Sequence, residues 1–339
     1  MDVIATIWKV PYYYDRNQRM IDRGVDCFRV KCSHNSADEI INCLRSARKQ
    51  INQSGKPVRL LADLPEAKIR LGEFPQEKIN LPEDYQCLFK KAQNSSDPLE
   101  FIPIRNENVG KYLIVGDEFY LGDGQLSFTV IKINSTNEFV ARTNNSGRLI
   151  FRSSMTIPKM MDEINHITPF LDEIIPRLPE AQPEMVAFSF VSSKEMLQEL
   201  LTKLSKYTTP DWQPKIIAKI ESQAGVENID EILELADGIM VARGDLALTM
   251  PYAKLGITQK MLVSKARSAG KYVIVATQVL QSLLDNYLPM RSDILDITNM
   301  CLDGASAVML CAETSHSDHP ERAVEVAKEI ITAVNNTIV

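Results

Sequence analysis

The chain alternates short apolar runs with amphipathic stretches along most of its length. The apolar runs are rich in β-branched residues. Near-continuous apolar runs of this length are typical of strands that are buried on both faces, as in parallel sheets. These predicted strands lie at Val3–Trp8, Cys27–Cys32, Val58–Leu64, Met185–Phe190, Lys215–Ile220, Gly238–Ala242, Tyr272–Thr277 and Ala307–Cys311.

The stretches between these runs carry helix signals. Ser36, with Glu39 three residues later, predicts a capped helix that runs towards Gly55, and Ser193 begins another helix. Further helices are predicted at Asn228–Ala236, Lys254–Gly270, Arg291–Asp303 and Pro320–Val334. Strands that alternate with helices in this way predict an α/β fold, a closed (β/α)8 TIM barrel. An open doubly wound sheet is the alternative, but no Gly-x-Gly-x-x-Gly follows the first strand.

One stretch, residues 73–157, interrupts the alternation. Short alternating runs, separated by Gly- and Asn-containing turns, predict a small all-β domain there. Its predicted strands are Lys111–Val115, Glu118–Leu121, Ser127–Ile133, Glu138–Thr143 and Leu149–Arg152. The expected domains are therefore 1–72 for the first part of the barrel, 73–157 for the insert and 158–339 for the second part. Because the insert follows the third strand on the side where barrels have their active sites, we expect it to act as a lid.

Composition narrows the class of protein. Of the 339 residues, 45% are hydrophobic, a share typical of folded proteins, which excludes a disordered chain. The net charge is −6, so the protein has no overall positive charge that would attract nucleic acid. No apolar run is long enough to cross a membrane, and the first residues lack the features of a signal peptide. The six cysteines include no Cys-x-x-Cys pair. These features lead us to expect a cytoplasmic protein with reduced thiols and no membrane partner.

Acidic and basic residues end the fifth and sixth predicted strands. Lys219 and Glu221 are two residues apart, so they point to the same side of one strand. Gly244 and Asp245 follow the next strand, where a short helix can present its amides to an anion. Two converging carboxylates, together with the oxygens of an anionic ligand, suit Mg²⁺. A purely structural Lys–Glu pair and an ordinary surface turn are the alternatives.

Polar residues also follow the other predicted strands. Arg29, Lys31 and Ser33 alternate along strand two, where three inward polar groups would be costly in a structural core. Other strand ends carry Asp63, Glu66, Lys68, Arg70, Thr277, Gln278, Cys311, Glu313 and Thr314. Cations around a two-carboxylate metal site predict a small polyanionic substrate with phosphate and carboxylate groups. Phosphoryl transfer or enolate chemistry follows from that prediction.

The histidines give a weaker signal. His34 follows strand two and can contact a nucleotide phosphate, although a capping or surface role is an equal alternative. His166, His316 and His319 lack metal-ligand spacing, so we expect them at the surface.

Several of these segments together resemble the pyruvate kinase family. The segment Ile216–Val226 resembles the active-site signature of that family, and Asp237–Leu246 continues the resemblance. Further matching segments, in the family's order, are Phe28–His34, Ala62–Arg70, Met185–Phe190, Ala276–Gln278, Leu302–Ala305, Val308–Leu310 and Glu313–Thr314. The resemblance covers essentially the whole chain and is most specific from 215 to 314.

The resemblance implies transfer of a phosphoryl group from phosphoenolpyruvate to ADP, giving pyruvate and ATP. It assigns Glu221 and Asp245 to Mg²⁺, with Mn²⁺ as a substitute, and Lys219 and Arg29 to the phosphoryl group. Ala242, Gly244 and Asp245, with Thr277, would hold the substrate's carboxylate and methylene carbon. The implied nucleotide contacts are Arg70, His34 and Asp123.

The chain also departs from the family pattern. It stops after the eighth barrel helix, so we expect the family's C-terminal allosteric domain to be absent. Trp8 and Lys9 replace a Gly-Pro pair that contacts nucleotide, and Cys311 replaces a serine of the proposed protonation network. Lys31 and Leu64 replace two potassium ligands, and Lys68 stands where potassium-dependent members have glutamate. We therefore expect Lys68 and Lys31 to take the place of potassium.

Two other functions remain open on the sequence. A Mg²⁺-dependent lyase acting on pyruvate or phosphoenolpyruvate would pair the same carboxylates, although it needs no lid over a nucleotide. A non-catalytic regulatory barrel would explain the altered residues Trp8, Leu64 and Cys311. Family members associate partly through barrel helices, which suggests a homodimer through the segment Gln278–Asn286.

Overall fold

The computed structural model describes residues 1–8, 14–33, 36–161, 163 and 166–338. Its strands are β1 (Asp2–Ile7), β2 (Cys27–Lys31), β3 (Arg59–Asp63), β4 (Ile69–Arg70), β5 (Lys78–Leu81), β6 (Gln86–Lys91), β7 (Ile102–Ile104), β8 (Glu118–Leu121), β9 (Leu126–Ser135), β10 (Glu138–Thr143), β11 (Gly147–Ile150), β12 (Ser154–Thr156), β13 (Met185–Phe188), β14 (Lys215–Ile220), β15 (Gly238–Ala242), β16 (Tyr272–Ala276) and β17 (Ala307–Leu310).

The helices follow the same chain order. The α-helices are α1 (Tyr14–Asp22), α2 (Ala37–Ser54), α3 (Pro158–Met161), α4 (Leu171–Ile174), α5 (Lys194–Ser205), α6 (Gln223–Glu227), α7 (Ile229–Leu235), α8 (Arg243–Thr249), α9 (Leu255–Ser268), α10 (Arg291–Asp303), α11 (Ala312–Ser315) and α12 (Pro320–Ile338). Short 3₁₀ helices lie at Val109–Tyr112, Ile175–Glu180, Tyr252–Lys254 and Gln281–Leu284. Within the described part of the chain, no helix combines the length and the apolar character needed to cross a membrane.

The first of two compact units comprises Met1–Glu66, His166–Leu246 and Ala253–Val339. Its sheet is a closed barrel with the strand order β1-β17-β16-β15-β14-β13-β3-β2, and neighbouring strands are parallel. The α/β fold and the (β/α)8 barrel predicted from the sequence are therefore confirmed.

Apolar side chains fill the barrel interior, because alternate residues of every strand point inwards. The packed interior consists of Ile4, Cys27, Leu61, Met185, Ala187, Ile217, Met240, Ala242, Ile274, Ala276, Ala307 and Met309. The inward row of several strands continues into polar residues as the strands end. On β3, Leu61 is followed by Asp63, and on β14, Ile217 is followed by Lys219. The barrel thus has an apolar middle and a charged carboxyl end.

Helix ends follow the signals in the sequence. The Ser36 hydroxyl accepts the Glu39 amide while the Glu39 carboxylate accepts the Ser36 amide, a complete capping box at the start of α2. Gly55 ends that helix at φ 64°, in the left-handed region that favours glycine. Ser193 caps α5 through the Met196 amide.

The second unit comprises Ala67–Asn165 and Ala247–Tyr252. Its main sheet has the order β4-β12-β8-β9-β10-β6-β7, and β11 pairs with β5 in a separate ribbon. Stacked and edge-to-face phenylalanines form its core around Phe89, Phe119, Phe128 and Phe139. The unit begins before the expected range of 73–157 because β4 pairs with β12, which lies within that range.

Two local expectations are wrong. Lys111–Val115 is not a strand, because Val109–Tyr112 forms a 3₁₀ helix whose Gly110 packs against the Ser135 carbonyl, 2.6 Å from where a Cβ would lie. His166 is not at the surface: its ring is buried and stacks on Phe190, with the ring centroids 4.5 Å apart. His316 and His319 are exposed, as expected.

Candidate active site

A buried carboxylate, Asp63, joins two cations at the carboxyl end of the barrel. Its Oδ2 accepts hydrogen bonds from Arg29, with Nε at 2.8 Å, and its Oδ1 lies 3.1 Å from Lys219 Nζ. Burial alone would raise the pKa of Asp63, but the charges of Lys219 and Arg29 and their hydrogen bonds outweigh it and hold that pKa below its ordinary value. Asp63 is therefore an anion that fixes both cations in place.

Lys219 also contacts Glu221, which follows its own strand β14, and Ser189, which follows the neighbouring strand β13. Its Nζ lies 3.2 Å from Glu221 Oε1 and donates to Ser189 Oγ at 2.7 Å. The Phe190 amide donates to Glu221 Oε2 at 2.8 Å, which fixes the carboxylate. Burial alone would lower the pKa of Lys219, but Asp63 and Glu221 raise it above its ordinary value. The ammonium is thus permanently charged at neutral pH.

The other side of the Arg29 guanidinium faces the carboxyl ends of β1 and β17. Its Nη1 donates to Thr6 Oγ1 at 3.1 Å and lies 3.9 Å from Cys311 Sγ. Burial raises the pKa of the Cys311 thiol, although Arg29 acts in the opposite direction. At neutral pH this position therefore carries a protonated thiol beside a guanidinium.

Thr277 lies in a strained turn that Arg243 holds. Thr277 and the following Gln278 have φ of 74° and 51°, which is costly for residues with a side chain. Arg243 donates to the carbonyl oxygen of Thr277 at 2.6 Å and of Gln278 at 3.1 Å, and it pairs with Asp296 at 2.8 Å. The turn aims Thr277 Oγ1 at the start of α8, where it accepts the Gly244 amide at 2.8 Å.

The two residues assigned to the metal follow the carboxyl ends of two neighbouring strands, β14 and β15. Glu221 follows β14, and Asp245 lies in the first turn of α8, directly after β15. Ala242, the last residue of β15, is buried. Across the described ranges, no three His, Cys, Asp or Glu side chains form a metal-binding group. A divalent ion here would rest on two protein carboxylates plus ligand and water oxygens, and that donor set fits Mg²⁺.

The remaining assigned residues belong to β2, to the second unit and to a position outside the described residues. Lys31 ends β2 and is exposed, in register with Asp63 on β3. Three residues belong to the second unit: Lys68 precedes β4, Arg70 lies in β4, and Asp123 lies in the turn between β8 and β9. His34 is outside the described residues.

Sequence reasoning missed several contributors. It placed Asp63 at a strand end without giving it a role, and it gave none to Ser189, Phe190 or Arg243. The inward position of Asp63, two residues after Leu61, was a usable signal for a buried charge. The amide of Phe190 reaches Glu221 from a residue at φ 51°, and no sequence pattern marks such a conformation in a phenylalanine.

Fold and site define a class of protein: a (β/α)8 barrel with a β-sheet unit inserted after strand three and a buried cluster of alternating charges at the strand ends. Residues 1–324 match the family model described as pyruvate kinase, barrel domain. The chain belongs to the pyruvate kinase family.

Individual relatives agree with this assignment. A pyruvate kinase of Thermococcus litoralis is 34% identical over 97% of this chain and 68% of its own length. One of Thermotoga maritima is 30% identical over 97% of this chain and 69% of its own. One of Thermoplasma acidophilum is 31% identical over 99% of this chain and 58% of its own. The chain therefore spans roughly three-fifths to two-thirds of the length of these relatives.

Proposed function

We propose that this protein transfers a phosphoryl group from phosphoenolpyruvate to ADP, giving pyruvate and ATP. The observation that carries the proposal is the buried cluster in which Asp63 and Glu221 hold Arg29 and Lys219 at the carboxyl ends of the barrel strands. Two fixed cations at this position suit a substrate that carries both phosphate and carboxylate. The membership in the pyruvate kinase family supports the same chemistry.

Lys219 and Arg29 would stabilise the phosphoryl group during its transfer. In the reaction, the bond between phosphorus and the enol oxygen breaks as a bond to the ADP β-phosphate forms, and the enolate then takes a proton at its methylene carbon. Charge develops on the phosphoryl oxygens and the enolate oxygen. Cations that are already oriented stabilise such charge without reorganising during the reaction. Lys219 remains an ammonium because Asp63 and Glu221 raise its pKa despite burial.

Glu221 and Asp245 are the residues that would hold Mg²⁺, or Mn²⁺ in its place. When bound, such an ion supplies positive charge to the substrate's phosphate and carboxylate oxygens. Glu221 would keep its orientation through the Phe190 amide. Ala242, Gly244 and Thr277 would hold the substrate's carboxylate and methylene carbon, with Thr277 positioned by the turn that Arg243 fixes.

The finer assignments rest on the family resemblance. Arg70, His34 and Asp123 are proposed as nucleotide contacts, and the domain inserted in the sequence after strand three is proposed as a lid. Lys68 and Lys31 are proposed to make the reaction independent of potassium. A cytoplasmic location and a homodimer through the Gln278–Asn286 segment complete the proposal.

The direct test supplies the purified protein with phosphoenolpyruvate, ADP and Mg²⁺ and measures pyruvate and ATP separately. We expect both products in equal amounts, and we expect Lys219→Met to abolish nearly all of this activity. Pyruvate without ATP would overturn the proposal, because it indicates that the phosphoryl group passes to water and not to ADP. Binding of phosphoenolpyruvate without either product would support a regulatory barrel, for which the altered Trp8, Leu64 and Cys311 are the specific observation.

A further inference from the structure

A buried histidine packs against the turn that contacts Glu221. His166 is 3% exposed, and the first compact unit resumes at this residue after the inserted unit. Its ring stacks on the ring of Phe190, with the centroids 4.5 Å apart and the planes 10° from parallel. Phe190 is buried as well. Because buried side chains are closely packed, each ring restricts the rotation of the other.

Phe190 has a backbone conformation that is costly for a residue with a large side chain. Its φ of 51° lies in the left-handed region, which such a residue adopts only where its surroundings impose it. This conformation directs the Phe190 amide at Glu221 Oε2, 2.8 Å away. If φ relaxed towards ordinary values, the peptide plane would rotate and the hydrogen bond to the carboxylate would be lost. The orientation of Glu221 therefore depends on what keeps Phe190 strained.

The barrel fixes the residues on both sides of Phe190. Before it, Ser189 Oγ accepts a hydrogen bond from Lys219 Nζ at 2.7 Å. After it, the Val191 amide donates to the Lys219 carbonyl at 3.1 Å. Between these two fixed points, Phe190 can still rotate its own peptide plane and its side chain. The stack on His166 opposes that rotation.

We propose that His166 is a positioning residue of the metal site. Its ring holds the Phe190 side chain in the orientation that accompanies the left-handed backbone, so that the Phe190 amide stays on Glu221. The inference rests on the proposed function, because Glu221 is a metal ligand only within it. Near-parallel stacking requires a planar ring and not a ring nitrogen, so the planarity of His166 is the property that matters.

Two substitutions separate the ring of His166 from its nitrogens. His166→Phe keeps a planar ring and removes both nitrogens, whereas His166→Gln keeps hydrogen-bonding groups and removes the ring. We expect His166→Phe to behave like the unmodified protein and His166→Gln to be impaired. His166→Leu repeats the test if His166→Gln does not fold. The control is Tyr272→Leu, which removes a ring at the first residue of β16, at the amino end of the barrel.

Hydrogen exchange reports on the Phe190 amide without metal or turnover. In protein labelled with ¹⁵N-phenylalanine, the Phe190 amide is the signal, among those of eleven phenylalanines, that disappears in Phe190→Leu. In His166→Gln this amide should exchange with deuterium about tenfold faster, the scale of one hydrogen bond to a charged group. Its exchange rate should be unchanged in His166→Phe and in Tyr272→Leu.

Metal binding provides the second measurement. In calorimetry, His166→Gln should bind Mn²⁺ about three- to tenfold more weakly, because loss of a group that itself orients a metal ligand typically costs about 10–100-fold and His166 acts one contact further away. At saturating Mg²⁺ the KM of this variant for phosphoenolpyruvate should stay within about twofold of the unmodified value, since Lys219 and Arg29 keep their hydrogen bonds to Asp63.

The outcomes distinguish this proposal from the proposed function. Faster exchange and weaker Mn²⁺ binding in His166→Gln, with neither in His166→Phe, would support the positioning role. If the unmodified protein binds Mn²⁺ and His166→Gln matches it, the positioning role is wrong and the proposed function stands. An equal effect in His166→Phe or in Tyr272→Leu would also overturn it, because the loss would then come from the nitrogens or from general destabilisation. No Mn²⁺ binding by the unmodified protein would overturn the metal assignment of the proposed function together with this proposal.

Discussion

Lys219 and Asp63 meet inside the barrel although their strands are not neighbours. β13 lies between β14 and β3, yet Lys219 Nζ and Asp63 Oδ1 are 3.1 Å apart. Ser189, which follows β13, bridges the gap by accepting from Lys219 and donating to the Leu64 carbonyl. Three consecutive strand ends are thus joined by one buried polar network, so a change at Asp63 affects both the stability and the chemistry of the site.

Asp63→Asn is expected to destabilise the protein strongly. The amide keeps the shape of the side chain but leaves Arg29 and Lys219 without the anion between them. Loss of one partner from a buried ion pair typically costs about 3–5 kcal/mol. We expect a decrease of that size in the free energy of unfolding at pH 7, measured by urea denaturation. Glu321→Gln, which breaks the more exposed ion pair between Arg19 and Glu321, is the control and should cost about 1 kcal/mol or less. A loss at Asp63 no larger than the control's would contradict the network.

The same substitution predicts a pH dependence. The pKa of Asp63 is lowered in the folded protein, so its ionised form stabilises the fold at every pH above its unfolded pKa of about 3.9. This contribution is lost as the pH falls through the lower, folded value. The stability difference between the unmodified protein and Asp63→Asn should be constant from pH 6 to 7 and shrink below about pH 4. A difference that grows on acidification would show that Asp63 is protonated in the native state.

Glu221→Gln and Asp245→Asn test the metal site. Mutation of a residue that only orients a metal ligand typically lowers the metal affinity about 10–100-fold. Loss of a ligand itself should therefore lower the affinity at least about tenfold. We expect each variant to need at least tenfold more Mg²⁺ for half-maximal activity and to bind Mn²⁺ correspondingly more weakly in calorimetry. Glu227→Gln, an exposed acidic residue on α6, is the matched control. Unchanged metal affinity in either variant would remove that residue from the site.

Lys219→Met is expected to lower kcat much more than it changes the KM for phosphoenolpyruvate. The ammonium acts on charge that develops during transfer, and loss of one such contact typically costs about 10²–10³ in kcat. The raised pKa of Lys219 adds a second expectation: its charge persists as the pH rises past the ordinary lysine range, so activity should show no loss near pH 10 that traces to Lys219. A change in KM with no change in kcat would contradict this role, because it would show that Lys219 binds the substrate without stabilising the transition state.

The barrel was predictable because parallel strands buried on both faces leave an unmistakable apolar pattern. Two predicted strands, Lys215–Ile220 and Gly238–Ala242, coincide with β14 and β15. The run Met185–Phe190 ended early, at Phe188, because the chain turns there and Phe190 adopts φ 51°. α1 was missed because Asp15, Arg16, Asn17 and their neighbours give it few apolar positions.

The candidate site was only partly predictable. Alternation along one strand places Lys219 beside Glu221, and the structure brings them to 3.2 Å. Asp63 belongs to a strand two places away, so its contact with Lys219 depends on how the barrel closes. Arg243 reaches the carbonyl oxygens of Thr277 and Gln278 only because both residues have positive φ. Contacts across the barrel and strained turns leave no periodic signal in the sequence.

The last prediction concerns potassium and the groups at the ends of β2 and β3. Both oxygens of Asp63 already contact cations, and the Leu64 carbonyl accepts the Ser189 hydroxyl at 2.8 Å. Leu64 itself offers no side-chain oxygen, and Lys31 brings a further positive charge to the register position beside Asp63. A potassium ion about 4 Å from one ammonium would meet repulsion on the order of 4 kcal/mol at an effective dielectric constant of 20.

We therefore expect full activity in buffer that contains only a large organic cation. Lys68→Glu should impair turnover strongly, because it removes the charge proposed to replace potassium, and added potassium should rescue it poorly while Lys31 and Leu64 remain. Lys78→Glu makes the same charge change at an exposed position on β5 and should leave turnover unchanged. The measurement is turnover with potassium or tetramethylammonium at equal ionic strength, which keeps screening constant. Stimulation of the unmodified protein several-fold by potassium would show that the lysines do not take its place.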